Sequence, residues 1–240
     1  LRFLRAVAGS KLIFEFEIEI LQWLNSLAGQ YPVLDRTVMQ AHRMATVKML
    51  LPMALLWYLW FKGATFRRQV FSGILGGVLA LAVSRLIQNF SPHRPRPALS
   101  DEFEFTIPAG ASALDWSSFP SDHAAITFAI ATAIFAASRP LGLFTFAYVT
   151  VVACLPRLYG GYHYPSDLLA GAAIGVLCVK LASLPLRPID RLYGLASRFE
   201  ERNAPLFYLF AFIICFQLTT FFDDIRRLGT LALIGLRSVF

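Results

Sequence analysis

Long apolar runs separated by short polar stretches organise this chain. A helix that crosses a bilayer core of about 30 Å needs about 20 apolar residues, with a range of about 17–25. Six runs meet that length, at residues 45–61, 67–90, 121–138, 141–159, 164–184 and 205–222. A spanning backbone has to satisfy its amides internally, so each run reads as a helix. Residues 1–44 follow another rule: Glu15, Glu17 and Glu19 alternate with Phe14, Phe16, Ile18 and Ile20. That period suits a strand, but a lone strand has no partner in such a chain, so an interfacial amphipathic helix continuing through Leu21, Leu24 and Leu27 is expected. Three glutamates interrupt the apolar run and argue against a signal peptide, and the absence of a first methionine reads as an edited or processed terminus. The expectation is an all-α, six-transmembrane-helix bundle with an N-terminal interfacial amphipathic helix. It forms a single membrane-embedded domain over 1–240, with an N-terminal segment 1–44, a helical core 45–222 and a tail 223–240.

Composition sharpens this picture. Of the 240 residues 57% are hydrophobic and 15% charged, against about 45–50% and about 25% in an ordinary soluble domain. A disordered tail, a nucleic-acid module and a secreted disulfide scaffold are excluded. Cys154, Cys178 and Cys215 are odd in number and lie inside apolar runs, so they read as small buried hydrophobes with no disulfide or metal spacing. The formal net charge of +7 fits a basic cytoplasmic face against anionic lipid, or arginines that hold a phosphorylated substrate. Six spans put Lys62, Arg67, Arg68, Arg139, Arg187, Arg191, Arg198 and Arg202 on one side, which the positive-inside rule makes cytoplasmic. Arg2, Arg5, Lys11, Arg36 and Arg43 would then lie outside. The loop 91–120 and the turn 157–164 fall on the external face.

That face gathers the chemistry. Ser91-Pro-His-Arg-Pro-Arg-Pro97 closes the second run, Phe119-Pro-Ser-Asp-His123 opens the third, and Pro156-Arg-Leu-Tyr-Gly-Gly-Tyr-His-Tyr-Pro-Ser-Asp167 joins the fourth to the fifth. Ionisable residues at a membrane boundary are functional candidates. Pro165 suits the first turn of a helix, which would bring His163 and Asp167 onto one face. A carboxylate on one imidazole nitrogen leaves the other free to attack phosphorus; taken alone, the pair reads more simply as a structural one. Ser121 is a natural N-cap, and a helix N-terminus suits a phosphate oxygen. His123 could protonate a leaving alkoxide, or be a surface histidine beside a cap. Asp122 would repel a phosphate, so it faces away or orients an arginine. Arg94 and Arg96, stiffened between prolines, match phosphate oxygens bidentately, or anchor anionic headgroups. His93 reads as a bystander or headgroup contact.

Together, Arg96-Pro97, Pro120-Ser121-Asp122-His123 and Arg157-x5-His163-x3-Asp167 resemble the three signatures of the type-2 phosphatidic acid phosphatase superfamily, over about residues 67–184. The resemblance implies a metal-independent integral-membrane lipid phosphatase without cofactors. It makes His163 a nucleophile that forms a phosphohistidine and Asp167 its orienting partner. His123 becomes the acid that protonates the leaving group and then activates water, and Arg96, Arg157 and Ser121 hold the phosphoryl oxygens. Three positions depart from the family. Its lysine falls at Asn89, with Arg94 a substitute for the charge; Pro156 replaces a serine; and Asp122 replaces a glycine, a variant the family tolerates.

The implied partners are a membrane lipid phosphate and the bilayer, with no nucleic acid. Polyprenyl pyrophosphate, phosphatidylglycerol phosphate, phosphatidic acid and a phosphorylated glycolipid all fit. Short loops point to a bacterial inner membrane with the site facing the periplasm. The loop 98–118, with its acids and aromatics, reads as a lid or headgroup filter, or as a plain solvated loop. A non-enzymatic carrier or flippase would explain the basic patch and leave His163 and Asp167 idle. A vanadate-dependent haloperoxidase shares the motifs, but known relatives of that type are soluble.

Overall fold

The computed structural model of the chain describes residues 15–100, 104–111 and 117–221. The expected tail 223–240, the first residues of the N-terminal segment, and Asp101, Glu102, Phe103, Asp115 and Trp116 of the loop 91–120 lie outside the described residues. Among the described residues every regular element is helical. Helix α1 covers 15–25, α2 Pro32–Arg43, α3 Ala45–Lys62 and α4 Ala64–Phe90. Beyond the loop 91–120 come α5 Asp122–Ala137, α6 Arg139–Val149 and, after a π turn at Thr150–Cys154, α7 Leu155–Tyr159. Helices α8 Pro165–Ser183, α9 Arg187–Arg202 and α10 Ala204–Thr219 follow.

Among the described residues each of the six apolar runs is helical. By length and composition three helices can cross a membrane: Ala64–Phe90, Arg139–Tyr159 and Pro165–Ser183. Pro32–Arg43 and Ala45–Lys62 make a fourth if the pair, bent by 52°, is one span. Asp122–Ala137 and Ala204–Thr219 are apolar but shorter; 16 residues at 1.5 Å each reach about 24 Å. The molecule is a membrane protein.

Helix α5 lies at the centre, against α4, α6 and α8. Its face-to-face run of Ala124, Ala125, Ile126, Ala129, Ile130, Ala133 and Ile134 is buried all round, as expected of a helix with no polar side. Lipid is as apolar as leucine, so close packing has to hold such helices together. Glycines supply it: a Cβ at Gly171 or Gly175 of α8 would overlap the carbonyls of Ser121 or Ala125 in α5. The distance between these two helices fixes the position of both chemistry-bearing N-termini.

Helix α9 lies between the fifth and sixth apolar runs, where the sequence pattern predicts no helix. It has no buried residue, and its charged face conceals the Leu192, Leu195 and Phe199 stripe. Arg67 pairs with Glu200 at 2.9 Å and Arg68 with Asp190 at 2.8 Å, which pins α9 to the start of α4. Residues 15–25 of the N-terminal segment form a helix, which buries Glu17, Leu21 and Asn25 against the protein while Phe16 and Trp23 point outward.

Candidate active site

The three motif segments meet at one end of the bundle. The last turns of α4 hold the entry to α5: Gln88 Nε2 donates to the Pro120 carbonyl at 2.7 Å, and Arg85 pairs with Asp122. The Arg94–Arg96 stretch runs beside residues 117–118, with the Ser118 amide donating to the Arg94 carbonyl at 2.9 Å. From the other side, the Ala98 amide donates to the Gly161 carbonyl at 3.0 Å. Gly161 has φ +66, a backbone state that disfavours side chains, and a Cβ there would also strike Phe105 and Ala98. The turn therefore needs glycine to fold the 157–164 segment under the loop that carries Ala98 and Phe105.

His163 is buried, and its Nδ1 lies 2.8 Å from the carbonyl oxygen of Ser118. A carbonyl only accepts, so Nδ1 carries the proton and donates, and Nε2 keeps its lone pair. The expected orienting partner, Asp167, stands 3.7 Å from the same nitrogen. Its Oδ2 instead accepts from the Tyr164 amide at 2.8 Å, capping α8, and its Oδ1 accepts from Arg94 Nη1 at 2.6 Å. Asp167 thus acts on His163 by charge, while the Ser118 carbonyl fixes the tautomer. Burial is the main force on the His163 pKa and lowers it; Asp167 opposes this, and Arg96 and Arg157 reinforce it.

His123 sits in the first turn of α5, its Nδ1 2.8 Å from Asp122 Oδ1. Asp122 is therefore turned between Arg85 and His123, which leaves His123 Nε2 as its outward nitrogen. Ser121 caps α5 with its hydroxyl accepting from the Ala124 amide, and its own amide donates to the Asp167 carbonyl at 3.0 Å. The two imidazole-bearing segments are thereby joined by one backbone hydrogen bond.

Arg157 is buried and donates from Nη1 to the Ala153 carbonyl at 2.6 Å. The π turn before it precedes Pro156, which has no amide to close the helix ladder. Arg157 lies within electrostatic reach of His123 and His163. Arg96 packs its guanidinium over the Tyr162 ring at 5.9 Å. Burial, the largest influence, lowers its pKa, and Asp122 foremost counteracts this.

Two expected phosphate ligands are placed elsewhere. Arg94 lies between Asp167 and Glu17, whose Oε2 accepts from Nη2 at 3.0 Å, so its charge is already matched by two carboxylates. Asn89 is exposed at the end of α4; the cation directed at the site is Arg85, one turn earlier. Sequence reasoning also missed Glu17, Lys48 and His42. Glu17 accepts from the Ser166 amide at 2.7 Å besides binding Arg94. His42 stacks on Tyr162 with centroids 4.5 Å apart. The loop 91–120 is tied down by a pair of hydrogen bonds between Asn25 and Thr106, at 2.7 and 2.8 Å, and by Arg43 on the Gly110 carbonyl. Among the described residues no group of three His, Cys, Asp or Glu side chains is arranged to hold a metal ion.

Residues 90–186 match the family model described as the PAP2 superfamily, and all three motif segments fall inside that stretch. The likeness to the PAP2 superfamily is carried by that stretch, from the end of α4 to the end of α8, and by class it makes the chain a lipid phosphatase. The chain is 27% identical over 200 residues to the bacitracin transport permease protein BcrC of Bacillus licheniformis, covering 80% of this chain and 92% of the relative. Among solved structures, the crystal structure of Aquifex aeolicus LpxE is similar with a TM-score of 0.53 and 27% identity, over 70% of this chain and 94% of that one.

Proposed function

We propose that this protein hydrolyses a lipid phosphate or lipid pyrophosphate without a metal ion, through a phosphohistidine at His163. The observation that carries the reading is the 2.8 Å contact from His163 Nδ1 to the Ser118 carbonyl, which leaves Nε2 as a nucleophile. Nε2 attacks phosphorus, and the bond to the leaving oxygen breaks as His123 delivers its proton. His123 then takes a proton from water, which attacks the phosphohistidine and releases inorganic phosphate. Arg157, Arg96 and the α5 N-terminus at Ser121 hold the equatorial oxygens, where charge gathers in the transition state. Arg94 and Glu17 brace Asp167 instead of touching phosphate.

Six membrane-crossing helices, with the shorter α5 and α10 spanning at local thinning, suit an enzyme that meets its substrate at the bilayer surface. The outward Phe16 and Trp23 of α1 suit an interfacial position. The basic residues at the far end, from Lys62 to Arg68 and along α9, support an inner-membrane placement with the site facing the periplasm. A carrier role, which the name of the Bacillus licheniformis relative suggests, would give the two imidazoles no task.

Phosphate release from a panel of lipid phosphates with EDTA present tests this reading. Turnover that persists with chelator and vanishes in His163→Ala is the expected result. Chelator-sensitive turnover, or full activity in His163→Ala, overturns it.

A further inference from the structure

Two cations stand buried at the active end without a carboxylate partner among the described residues: Arg157 and Lys48. The phosphatase chemistry uses the first and leaves the second unexplained. Lys48 belongs to the first turn of α3, and its Nζ meets the Phe221 ring face at 5.2 Å. The His123 ring packs on the same Phe221, with centroids 3.9 Å apart. Lys48 therefore lies on the His123 side of the site, the side where the proposed chemistry sends the leaving group. Next to it, His42 packs flat against Tyr162, and its buried Nδ1 has no hydrogen-bond partner. Lys48, Arg157, His123 and His163 are all within electrostatic reach of His42.

A buried ammonium without a counter-ion is costly unless a ligand supplies the charge. A monophosphate does not supply it at this position. Its leaving atom is an alkoxide, which needs a proton and no cation. A diphosphate does, because the group that departs is itself a phosphate. We infer that Lys48 and His42 form a second phosphate subsite, which holds the lipid-proximal phosphate of a lipid diphosphate while His163 attacks the terminal one. The inference rests on the phosphohistidine reading and names its substrate class. Nε2 of His163 bonds to the terminal phosphorus, and the bond from that phosphorus to the bridging oxygen breaks. The bridging oxygen leaves with the electron pair as part of a lipid monophosphate, whose added negative charge falls to Lys48 and a donated His42 hydrogen bond. Water then cleaves the phosphohistidine, so that lipid diphosphate and water give lipid monophosphate and inorganic phosphate.

The test compares farnesyl diphosphate with farnesyl phosphate on the purified full chain in detergent, as the ratio of their kcat/KM values. Wild type is expected to favour the diphosphate by at least about tenfold, and Lys48→Met to lower that ratio by about tenfold, the weight of a hydrogen bond to a charged group. Lys48→Arg is expected to retain most of the preference. A wild type that prefers the monophosphate, or a ratio unmoved by Lys48→Met, overturns the subsite and leaves the phosphatase reading standing. A wild type that hydrolyses neither overturns both. Should Lys48→Met fail to fold, the wild-type ratio and that of His42→Ala decide, the latter expected to fall and contradicting the subsite if it does not.

Discussion

Nη1 of Arg94 donates to Oδ1 of Asp167 at 2.6 Å, and Nη2 of the same guanidinium reaches Glu17 in α1. Asp167 is fully buried and Glu17 nearly so, so Arg94 balances two carboxylates that have left water. Beside it, Arg96 lies over Tyr162, and the two arginines of one prolyl tract have separate tasks.

Those tasks separate experimentally. Arg94→Met strands two buried carboxylates, and losing one partner of a buried pair costs about 3–5 kcal/mol. A marked drop in Tm in detergent is expected. Arg96→Met is expected to raise KM by about tenfold, as loss of a charge-assisted contact does, with little change in Tm. The assignment is wrong if the two variants exchange these signatures.

The acid limb of the pH profile reports on His163. Burial lowers its pKa, and the neutral ring is the nucleophile. The competent form therefore persists as pH falls below about 6.5, the ordinary histidine value. The kcat/KM profile should be bell-shaped, with its acid limb under that value and an alkaline limb from the acid that serves the leaving group. Stability follows the same sign: below about 6.5 the unfolded chain binds a proton that the folded site refuses, so stability declines toward acid pH. An acid limb above 6.5 would contradict the buried neutral ring.

Close packing of α5 on α8 sets the spacing of the two imidazoles. A Cβ at Gly171 would press on the Ser121 carbonyl, whereas one at Gly194 in α9 meets open space. Gly171→Ala is expected to destabilise by about 1–3 kcal/mol through overpacking and to lower kcat. Gly194→Ala is expected to be neutral or to stabilise by up to about 1 kcal/mol, the helix-propensity difference. Thermal unfolding and turnover of the two variants check the contrast, which equal effects would refute.

The sequence carried the motif residues and the apolar helices, because hydropathy and spacing are local properties. Contacts across many residues were not legible: Glu17 meets Ser166 and Arg94 only after α1 folds over the end of the bundle. Counting back from Arg96 selected Asn89 because it assumed one rigid register. The helix ends at Phe90 and the chain then extends through prolines, so the inward cation is Arg85. The tautomer of His163 also escaped, since its partner is a backbone carbonyl, which no side-chain motif encodes. Helix α9 was hidden because its charges mask its apolar stripe.

The central claim is a covalent bond between His163 and phosphorus, and rapid quenching of the enzyme with a lipid substrate labelled in its terminal phosphate tests it most directly. The account predicts labelled protein whose phosphate survives base, is released by acid, maps to His163 and is absent from His163→Asn. Label that persists in His163→Asn, or complete turnover through which no quench time yields labelled protein, would contradict it.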